Sequence, residues 1–304
     1  MQPWVKKVAI YGQSYNTKSI REVLFLIEVL QEKNIVVFFE KEFYTIFQKE
    51  NLLPKKYPTF SHFNDLNSSF DLFFTIGGDG TILRSITFIR DLNILVLGIN
   101  TGRLGFLATI QREEIKQVIE QLLLNEYKIQ ERTLLSVKTA PKIAALSEIN
   151  FALNEVTVAR KNTTSMIGVK TFLDDEYLTN YWADGLIVST PTGSTGYSLS
   201  CNGPVVLPNS KSLVITPIAP HNLNARPLVI SENTKIKLEV SGREDTFLMS
   251  LDSRICTINE NTQIFIEKAS FTIKTIVLTN QSFLKTLRSK LLWGEDTRND
   301  IKHS

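Results

Sequence analysis

Residues 72–89 read LFFTIGGDGTILRSITFI and decide the fold of the first part of the chain. The apolar run Leu72–Ile76 is typical of a buried strand, and the spacing of apolar residues over Ile82–Ile89 predicts a helix. The glycines between them let the backbone turn tightly from strand to helix. We therefore expect a strand–turn–helix unit whose turn is Gly77–Thr81.

The same alternation of strand and helix extends on both sides of this unit. Strand-like runs cover Val8–Tyr11, Ile35–Phe39 and Ile94–Ile99, and helical spacing recurs over Ile20–Leu30 and around Phe43, Ile46 and Phe47. Strands that alternate with helices predict βαβ units and a parallel sheet. The segment Pro54–Ser69 has no periodicity and is predicted to be a long loop.

From about Tyr127 the pattern changes to short β-rich runs separated by turn residues, which predicts an antiparallel, all-β second domain. The runs are Leu134–Lys138, Phe151–Arg160, Met166–Phe172, Leu186–Thr190, Leu213–Ile218, Lys235–Val240, Phe247–Leu251, Gln263–Glu267 and Thr272–Val277. The last predicted helix has an apolar face that must be buried. This face consists of Phe283, Leu284, Leu287, Leu291 and Leu292.

Composition narrows the class of protein. The chain has 304 residues, 43% of them hydrophobic, and a formal net charge of +3. A charge so close to balance argues against a dedicated nucleic-acid-binding protein. No signal peptide is evident, no apolar stretch approaches the ~18 residues of a membrane helix, and the two cysteines form no CxxC pair. We expect a soluble cytoplasmic protein without a membrane partner.

The turn Gly77–Thr81 has the composition of a phosphate-binding loop, because glycines admit a close ligand and a helix N-terminus favours anions. Its candidate phosphate ligands are Gly77, Gly78, Gly80, Thr81 and Arg84. A carboxylate such as Asp79 is repelled by phosphates unless it binds a metal or accepts a proton. The motif is neither a Walker A loop nor a GxGxxG fingerprint. An ordinary tight turn, with Arg84 as a solvated charge, explains it equally well.

Two further segments place polar groups after strands. Asn100–Phe106 follows the strand Ile94–Ile99, and loops at the carboxyl ends of parallel strands line the ligand crevice. This loop would then share a cleft with the Gly77–Thr81 turn; a simple interdomain turn is the alternative. Asn154-Glu155 interrupts a strand-like run, where a bulge would re-aim one side chain. On these residues alone, an exposed polar pair on an edge strand is the favoured interpretation.

The segment Asp184–Ser200 reads DGLIVSTPTGSTGYSLS, with seven Ser or Thr residues from Ser189 onward. Hydroxyls and exposed amides suit the sugars and phosphates of a nucleotide, and Tyr197 offers a flat face. No histidine lies nearby in the sequence, so these serines are poor nucleophile candidates. His221 is as readily structural as functional, whereas Asp252 is more typical of a turn residue than of a ligand.

Taken together and in this order, the segments from Gly77 to Arg254 resemble the NAD kinase family. The resemblance implies a Rossmann-like α/β domain with a parallel sheet, formed by residues 1–106 plus 279–304. It also implies a β-rich, sandwich-like NAD-binding domain over residues 107–278, with the C-terminal helix returning to the first domain. Homodimers or homotetramers are implied as well.

The same resemblance implies the reaction and its residues. Asp79 would accept the proton as ATP phosphorylates the 2'-hydroxyl of the adenosine ribose of NAD, with a divalent metal, usually magnesium, as cofactor. The metal ligands stay unassigned. Residues implied around NAD are Asp79, Gly80, Arg84, Asn154, Glu155, Asp184, Thr195, Gly196, Tyr197, Ser198, Leu199, Ser200 and Ala219. The chain departs from the family at Asp252-Ser253, where Asp-Gly is frequent, and at Gly196, where alanine is frequent.

Three other functions compete with this interpretation. A lipid kinase of the diacylglycerol or sphingoid type would share the Gly77–Thr81 loop, but it would need an apolar acyl pocket and would not explain Ser189–Ser200. A non-catalytic NAD(P) sensor would not need Asp79. A dehydrogenase is disfavoured because the GxGxxG fingerprint is missing. The sequence leaves the phosphoryl donor open among ATP, other triphosphates and polyphosphate.

Overall fold

The computed structural model describes residues 4–13, 17–162, 165–279 and 281–293. It divides the chain into two compact units, unit 1 with Met1–Glu131 and Ile273–Ser304, and unit 2 with Arg132–Thr272. The predicted boundaries at residues 106/107 and 278/279 differ from these. The first boundary lies later because Ile115, Val118, Ile119 and Leu122 pack into the core of unit 1.

The elements follow one another in a fixed order, numbered here along the chain. The strands are β1 (Lys7–Gly12), β2 (Val36–Glu40), β3 (Thr59–Phe60), β4 (Leu72–Ile76), β5 (Leu95–Ile99), β6 (Tyr127–Ala140), β7 (Phe151–Ala152), β8 (Glu155–Arg160), β9 (Ile167–Leu173), β10 (Glu176–Ala183), β11 (Gly185–Ser189), β12 (Ser212–Ile218), β13 (Leu228–Ser231), β14 (Ile236–Ser241), β15 (Thr246–Leu251), β16 (Arg254–Asn259) and β17 (Gln263–Leu278). The helices are α1 (Thr17–Glu32), α2 (Lys41–Lys49), α3 (Asp79–Ile89), α4 (Ile115–Leu123), α5 (Tyr197–Ser200) and α6 (Phe283–Leu291).

Unit 1 is an α/β unit with a parallel sheet, as predicted. Its strands run in the order β3-β2-β1-β4-β5, and every neighbouring pair is parallel. The strands β4 and β5 are buried along their whole length, which is why they read as unbroken apolar runs. Helix α6 belongs to this unit, so the predicted return of the C-terminal helix is confirmed.

Two predictions in unit 1 need correction, and one helix was missed. The segment Pro54–Ser69 is not a structureless loop, because it contains β3 and a 3-10 turn at Phe63–Asp65. Helix α4 was not predicted. Only Leu287 is fully buried on α6, whereas Leu284 and Leu292 are exposed, so the predicted apolar face is only partly covered.

Unit 2 is built from antiparallel strands in two sheets, as predicted. One runs β10-β9-β14-β17 with β6 and β7 attached, and the other runs β13-β12-β11-β8-β15-β16. Their apolar faces form one core, with Val158, Val169, Leu186 and Phe247 almost without solvent exposure. Strands β10, β13 and β16 were not predicted, and the two runs predicted over residues 263–277 are one strand, β17.

In the described part of the chain, no helix is long and apolar enough to cross a membrane.

Candidate functional site

In unit 1 the predicted strand–turn–helix forms at Gly77–Thr81. Strand β4 ends at Ile76 and helix α3 begins at Asp79. Gly77 has φ of +150°, and a Cβ atom there would lie 2.2 Å from Thr81 Oγ1, so only glycine fits. The Gly77 amide donates to the carbonyl of Ile99 at 2.9 Å, which ties the turn to the end of β5.

The other two glycines of the turn are not required by packing. A Cβ atom on Gly78 or Gly80 would meet no described atom within 4 Å. Both residues are exposed, and they flank the first residue of α3, where backbone amides have no helical acceptor. The turn therefore presents open space in front of a helix N-terminus.

The Asp79 carboxylate organises the loop after β5. Its Oδ2 accepts the amide of Phe106 at 2.8 Å, and its Oδ1 accepts the amides of Leu107 and Ala108 at 3.0 and 2.9 Å. A Cβ atom on Gly105 would lie 1.9 Å from Oδ1, so that glycine lets the loop close on the carboxylate. The loop and the Gly77–Thr81 turn are thus joined directly.

Asn100 completes this loop from its other end. Its side-chain amide donates to the carbonyls of Arg103 and Ala108 at 2.9 and 3.1 Å, and its Oδ1 accepts the amide of Gly102 at 2.7 Å. The loop is therefore an ordered part of unit 1 that depends on two polar side chains, Asn100 and Asp79.

Arg84 is exposed on α3. Its charge acts on Tyr11 of β1, whose pKa rises to about 12; burial is the main cause of that rise, and Arg84 opposes it. Arg84 therefore lies near the end of β1, one helical turn beyond Gly80.

In unit 2 the chain leaves the sheet at Leu153-Asn154, between β7 and β8. The predicted interruption of this strand is present, but the prediction of an exposed pair on an edge strand is wrong, because β8 lies between β11 and β15 and Glu155 is buried. The Asp252 carboxylate accepts all three successive amides there, from Leu153 at 2.9 Å, Asn154 at 2.7 Å and Glu155 at 3.2 Å. A buried carboxylate thus supplies the acceptors that a neighbouring strand would otherwise provide.

The Asn154–Glu155 pair carries unpartnered polar atoms. Glu155 is only 9% exposed, and within the described residues Asn154 Oδ1 and Glu155 Oε2 are buried without a hydrogen-bond partner. Burial raises the pKa of Glu155 to about 7, the Asp252 charge adds to the rise, and the Tyr197 amide opposes it. Buried orphan acceptors of this kind call for a ligand or water.

The hydroxyl-rich segment folds onto this pair. Thr190 Oγ1 donates to the carbonyl of Leu153 at 2.6 Å and accepts the amide of Gly193 at 3.1 Å. Cβ atoms on Gly193 and Gly196 would lie 2.1 Å from the Asn154 carbonyl oxygen and 3.0 Å from Glu155 Oε2. The glycines let the turn approach closely.

Several of the hydroxyls serve the turn itself. Ser194 Oγ donates to the Pro191 carbonyl at 2.7 Å, and buried Ser198 shares a 2.8 Å hydrogen bond with Thr216. Leu199 is half-buried, Ser200 is exposed, and Tyr197 is 45% exposed. Burial raises the Tyr197 pKa, and charges on Cys201, Asp184 and Glu155 raise it further. The Tyr197 ring and Ser200 are the accessible parts of this segment.

Asp184 precedes β11 and lies in a second part of the unit. Its Oδ2 forms a 2.9 Å ion pair with Arg160, and its amide donates to Ile218 at 2.9 Å, which brings Ala219 close by. Ala219 is exposed and has φ of +44°. Asp184 lines a cavity of about 680 Å³ with Arg160, Trp182, His221 and Arg243, among others.

The pairing of β8 with β11 sets the distance between the two acidic residues. Glu155 pairs with Ser189, and Ala159, four residues later, pairs with Gly185 beside Asp184. Asp184 precedes Gly185, so the two acidic residues are five residues apart along the strands, which is roughly 17 Å at about 3.4 Å per residue. The two carboxylates therefore lie at opposite ends of the strand pair.

Comparison with known protein families accounts for both units. The family model described as the ATP-NAD kinase N-terminal domain matches residues 8–127, and the model of the ATP-NAD kinase C-terminal domain matches residues 153–278. The chain belongs to the ATP-NAD kinase family.

Relatives within the ATP-NAD kinase family match almost the whole chain. The NAD kinase of Christiangramia forsetii is 57% identical over 96% of this chain and 100% of its own length. The NAD kinase of Flavobacterium psychrophilum is 52% identical with the same coverage. The fold matches yeast NADH kinase complexed with NADH, with a TM-score of 0.84 at 23% identity, covering 98% of this chain and 90% of that chain.

This ATP-NAD kinase family member also has two site residues whose role the sequence left open or hidden. Asp252 looked like a turn residue, yet it holds the backbone of Asn154 and Glu155. Arg254 was not singled out; it stands 3.8 Å from Asp252 and donates to the carbonyls of Ile149 and Phe151. The signal was an Asp-Ser-Arg turn between two strand-like runs.

A metal site made by the protein needs several carboxylate, imidazole or thiolate side chains close together. Within the described residues, no group of three or more His, Cys, Asp or Glu side chains is placed to hold a metal ion. Both Asp79 oxygens already accept backbone amides. Magnesium in phosphoryl-transfer sites is held mainly by substrate phosphates with one or two carboxylates. These residues fit a metal that arrives with a triphosphate rather than one in a protein cage.

Proposed function

We propose that this protein transfers the terminal phosphoryl group of ATP to the 2'-hydroxyl of the adenosine ribose of NAD, giving NADP and ADP. The observation that carries the proposal is the pair of buried, unpartnered acceptors Asn154 Oδ1 and Glu155 Oε2, set against a hydroxyl-rich turn. In an ATP-NAD kinase family chain, these acceptors suit ribose hydroxyls.

The Gly77–Thr81 turn is assigned to phosphates. Gly78 and Gly80 leave open space where any side chain would fit, and the space faces the N-terminus of α3. Free amides and the helix dipole attract anions there. Gly77 and Thr81 shape the turn, and the exposed Arg84 adds positive charge on the same helix.

Asp79 is assigned the role of proton acceptor. As the ribose oxygen bonds to the terminal phosphorus, the bond between that phosphorus and the ADP oxygen breaks, and the hydroxyl proton passes to the Asp79 carboxylate. Positioned bases of this kind contribute about 10²–10⁴-fold. The amides of Phe106, Leu107 and Ala108 hold the carboxylate in one orientation, and it is half-exposed.

NAD is assigned to Glu155 and Asp184 through its two riboses. The two residues lie roughly 17 Å apart along the strand pair, which is too far for both to bind one sugar. Asn154 and residues Thr195–Ser200 would contact NAD beside Glu155, with the Tyr197 ring offering an exposed face. Ala219 would contact it beside Asp184.

The metal enters as part of the substrate. Magnesium bound to the ATP phosphates would neutralise the charge that builds up in phosphoryl transfer. The chain needs this metal because it has no Walker A lysine to do the same. We further propose that the protein acts in the cytoplasm as a homodimer or homotetramer.

The test is a direct assay of purified protein with NAD, ATP and magnesium, with NADP followed by a dehydrogenase specific for it. We expect NADP to accumulate with one ADP per NADP. NAD binding without NADP would favour the sensor, and phosphorylation of diacylglycerol without NADP would favour the lipid kinase.

A further inference from the structure

The turn Leu251–Arg254 joins β15 to β16 and carries an unusual backbone. Leu251 pairs with Arg254, so only Asp252 and Ser253 form the loop. Asp252 has φ of +53°. Glycine, asparagine and aspartate tolerate this left-handed region best, and glycine carries no Cβ penalty there. The backbone alone does not distinguish aspartate from glycine or asparagine here, so the reason for a carboxylate must lie in its contacts.

The side chain of Asp252 supplies that reason through its contacts. It is 1% exposed and accepts the amides of Leu153, Asn154 and Glu155 at 2.9, 2.7 and 3.2 Å. Its own amide donates to the Glu155 carbonyl at 2.9 Å. The turn and the strand break are thus bonded in both directions, across almost a hundred residues of sequence.

Arg254 holds the other side of the same junction. Its guanidinium stands 3.8 Å from the Asp252 carboxylate and donates to the carbonyls of Ile149 and Phe151. Burial lowers the pKa of Arg254, while the Asp252 charge opposes that shift. The buried carboxylate therefore has both a nearby cation and three amide donors, as a buried charge requires.

We infer that Asp252 is a positioning residue for NAD, which it serves by fixing the backbone from which Asn154 and Glu155 extend. The inference rests on the proposed function for its ligand. Asp252 cannot touch the substrate itself, since its carboxylate is enclosed and its oxygens are bonded to the chain. Its effect reaches NAD only through the two orphan acceptors, Asn154 Oδ1 and Glu155 Oε2.

The geometry also explains why the frequent Asp-Gly of the family is Asp-Ser here. Among the described residues with positive φ, Asp252 is included and Ser253 is not. The strained position of this turn is the first one, so a serine at the second position costs nothing in backbone conformation. The carboxylate, and not the glycine, is the part of the turn that the strand break requires.

The decisive variant is Asp252→Gly. Glycine suits φ of +53° and so preserves the hairpin, while it removes every acceptor for the three amides. Asp175→Gly is the matched control, because Asp175 has φ of +67° next to the β9–β10 turn and lies outside the proposed site. Asp252→Asn lies between the wild type and Asp252→Gly, because its side-chain oxygen can still accept the two amides now on Oδ1.

We expect the KM for NAD to rise about 10–100-fold in Asp252→Gly, because a small misplacement of binding groups has effects of that size. The rise should be smaller in Asp252→Asn and negligible in Asp175→Gly. The KM for ATP should stay unchanged in all three. A general loss of folding would instead lower the active fraction and leave both KM values alone.

A second measurement needs neither NAD nor activity. Amide hydrogen exchange should show the Leu153, Asn154 and Glu155 amides protected in the wild type and in Asp175→Gly, and exposed in Asp252→Gly. If wild type makes NADP while Asp252→Gly keeps the wild-type KM for NAD, the inference is overturned. Unchanged protection of the three amides overturns it as well. If wild type neither binds nor phosphorylates NAD, the proposed function fails instead, whatever the exchange data show.

Discussion

Two aspartates, one in each unit, use their carboxylates in the same way and in different surroundings. Asp79 accepts three consecutive amides, from Phe106 to Ala108, and Asp252 accepts three consecutive amides, from Leu153 to Glu155. In both cases a short acidic side chain satisfies a stretch of backbone that has left its sheet. We call these two arrangements the Asp79 nest and the Asp252 nest.

The difference between the nests is their access to solvent. Asp79 is half-exposed at the start of α3, beside two glycines with open space in front of them. Asp252 is enclosed and faces Arg254. The same hydrogen-bonding pattern can therefore support two functions. The Asp79 nest is open and can orient a carboxylate for chemistry. The Asp252 nest is closed and can only orient the residues around it.

Metal removal tests both nests at once and should have the largest effect. Within the described residues, neither aspartate belongs to a group of three or more side chains that could hold a structural metal. A chelator should reduce NADP formation to background, because phosphoryl transfer needs the phosphate charge neutralised. Added magnesium or manganese should restore it. The thermal midpoint of unfolding without nucleotide should not move; a fall in that midpoint would place a metal within the fold.

Asp79→Asn tests whether the open nest reacts. Turnover should fall by about 10²–10⁴-fold, the usual contribution of a positioned base, while the KM for NAD changes little. The asparagine oxygen can keep the Leu107 and Ala108 amides, but the side-chain NH2 then faces the Phe106 amide. One lost hydrogen bond should therefore lower the unfolding free energy by about 1–3 kcal/mol.

The control for this variant is Asp65→Asn. The Asp65 carboxylate also accepts backbone amides in unit 1, from Ser61 and His62, and it lies outside the proposed site. It should leave turnover unchanged. Near-normal turnover in Asp79→Asn would show that the open nest only holds its loop, as the closed nest does. The two nests would then not differ in function.

The open nest was predictable from the sequence to a greater extent than the closed one. The run Leu72–Ile76, the glycines and the helical spacing after them are local signals, and all three produced the predicted elements. Helix α4 was missed although Ile115, Val118, Ile119 and Leu122 have helical spacing, so that signal was present and not used.

The closed nest could not be predicted, because its two halves are far apart in sequence. Leu153 and Asp252 are 99 residues apart. Local patterns predict a turn at Asp252 and a break at Asn154, but only the register of β15 against β8 brings them together. The hydroxyls of Ser194 and Ser198 show the same limit, since composition cannot tell a hydroxyl that binds a ligand from one that bonds within its own turn.

The free energy of unfolding should depend on pH through Glu155, which extends from the backbone that the closed nest holds. Its pKa in the folded protein, about 7, lies above its ordinary value of 4.5 because burial and the Asp252 charge disfavour the ionised form. The stabilisation is thus complete below pH 4.5 and is lost as the pH rises through 7. The loss should be about 3 kcal/mol at 1.36 kcal/mol per pKa unit.

The measurement for Glu155 is urea denaturation of the wild type and Glu155→Gln across this pH range. The difference in unfolding free energy between the two proteins should change between pH 4.5 and about 7, the two pKa values of Glu155, and stay constant outside that range. In Asp252→Gly the upper end of this range should shift to lower pH, because one cause of the raised pKa is gone. Parallel curves for wild type and Glu155→Gln would show that the pKa of Glu155 is the same in the folded and unfolded protein, and the coupling of the nest to Glu155 would be disproved.

The smallest expected effects concern NAD affinity, and they test which residues of the proposed NAD site depend on the closed nest. Glu155→Ala and Asp184→Ala should each weaken binding by about 1–3 kcal/mol, the size of a hydrogen bond to a charged group. Asp184 lies roughly 17 Å from Glu155 along the strand pair and is held by Arg160 instead of Asp252. Calorimetry on Asp184→Ala combined with Asp252→Gly should therefore give additive losses within about 0.5 kcal/mol, as for separate sites. Glu155→Ala combined with Asp252→Gly should fall well short of additivity, because both changes remove the same contact. If the Asp184 pair also departs from additivity, the nest controls the whole NAD site and not only the end that it touches.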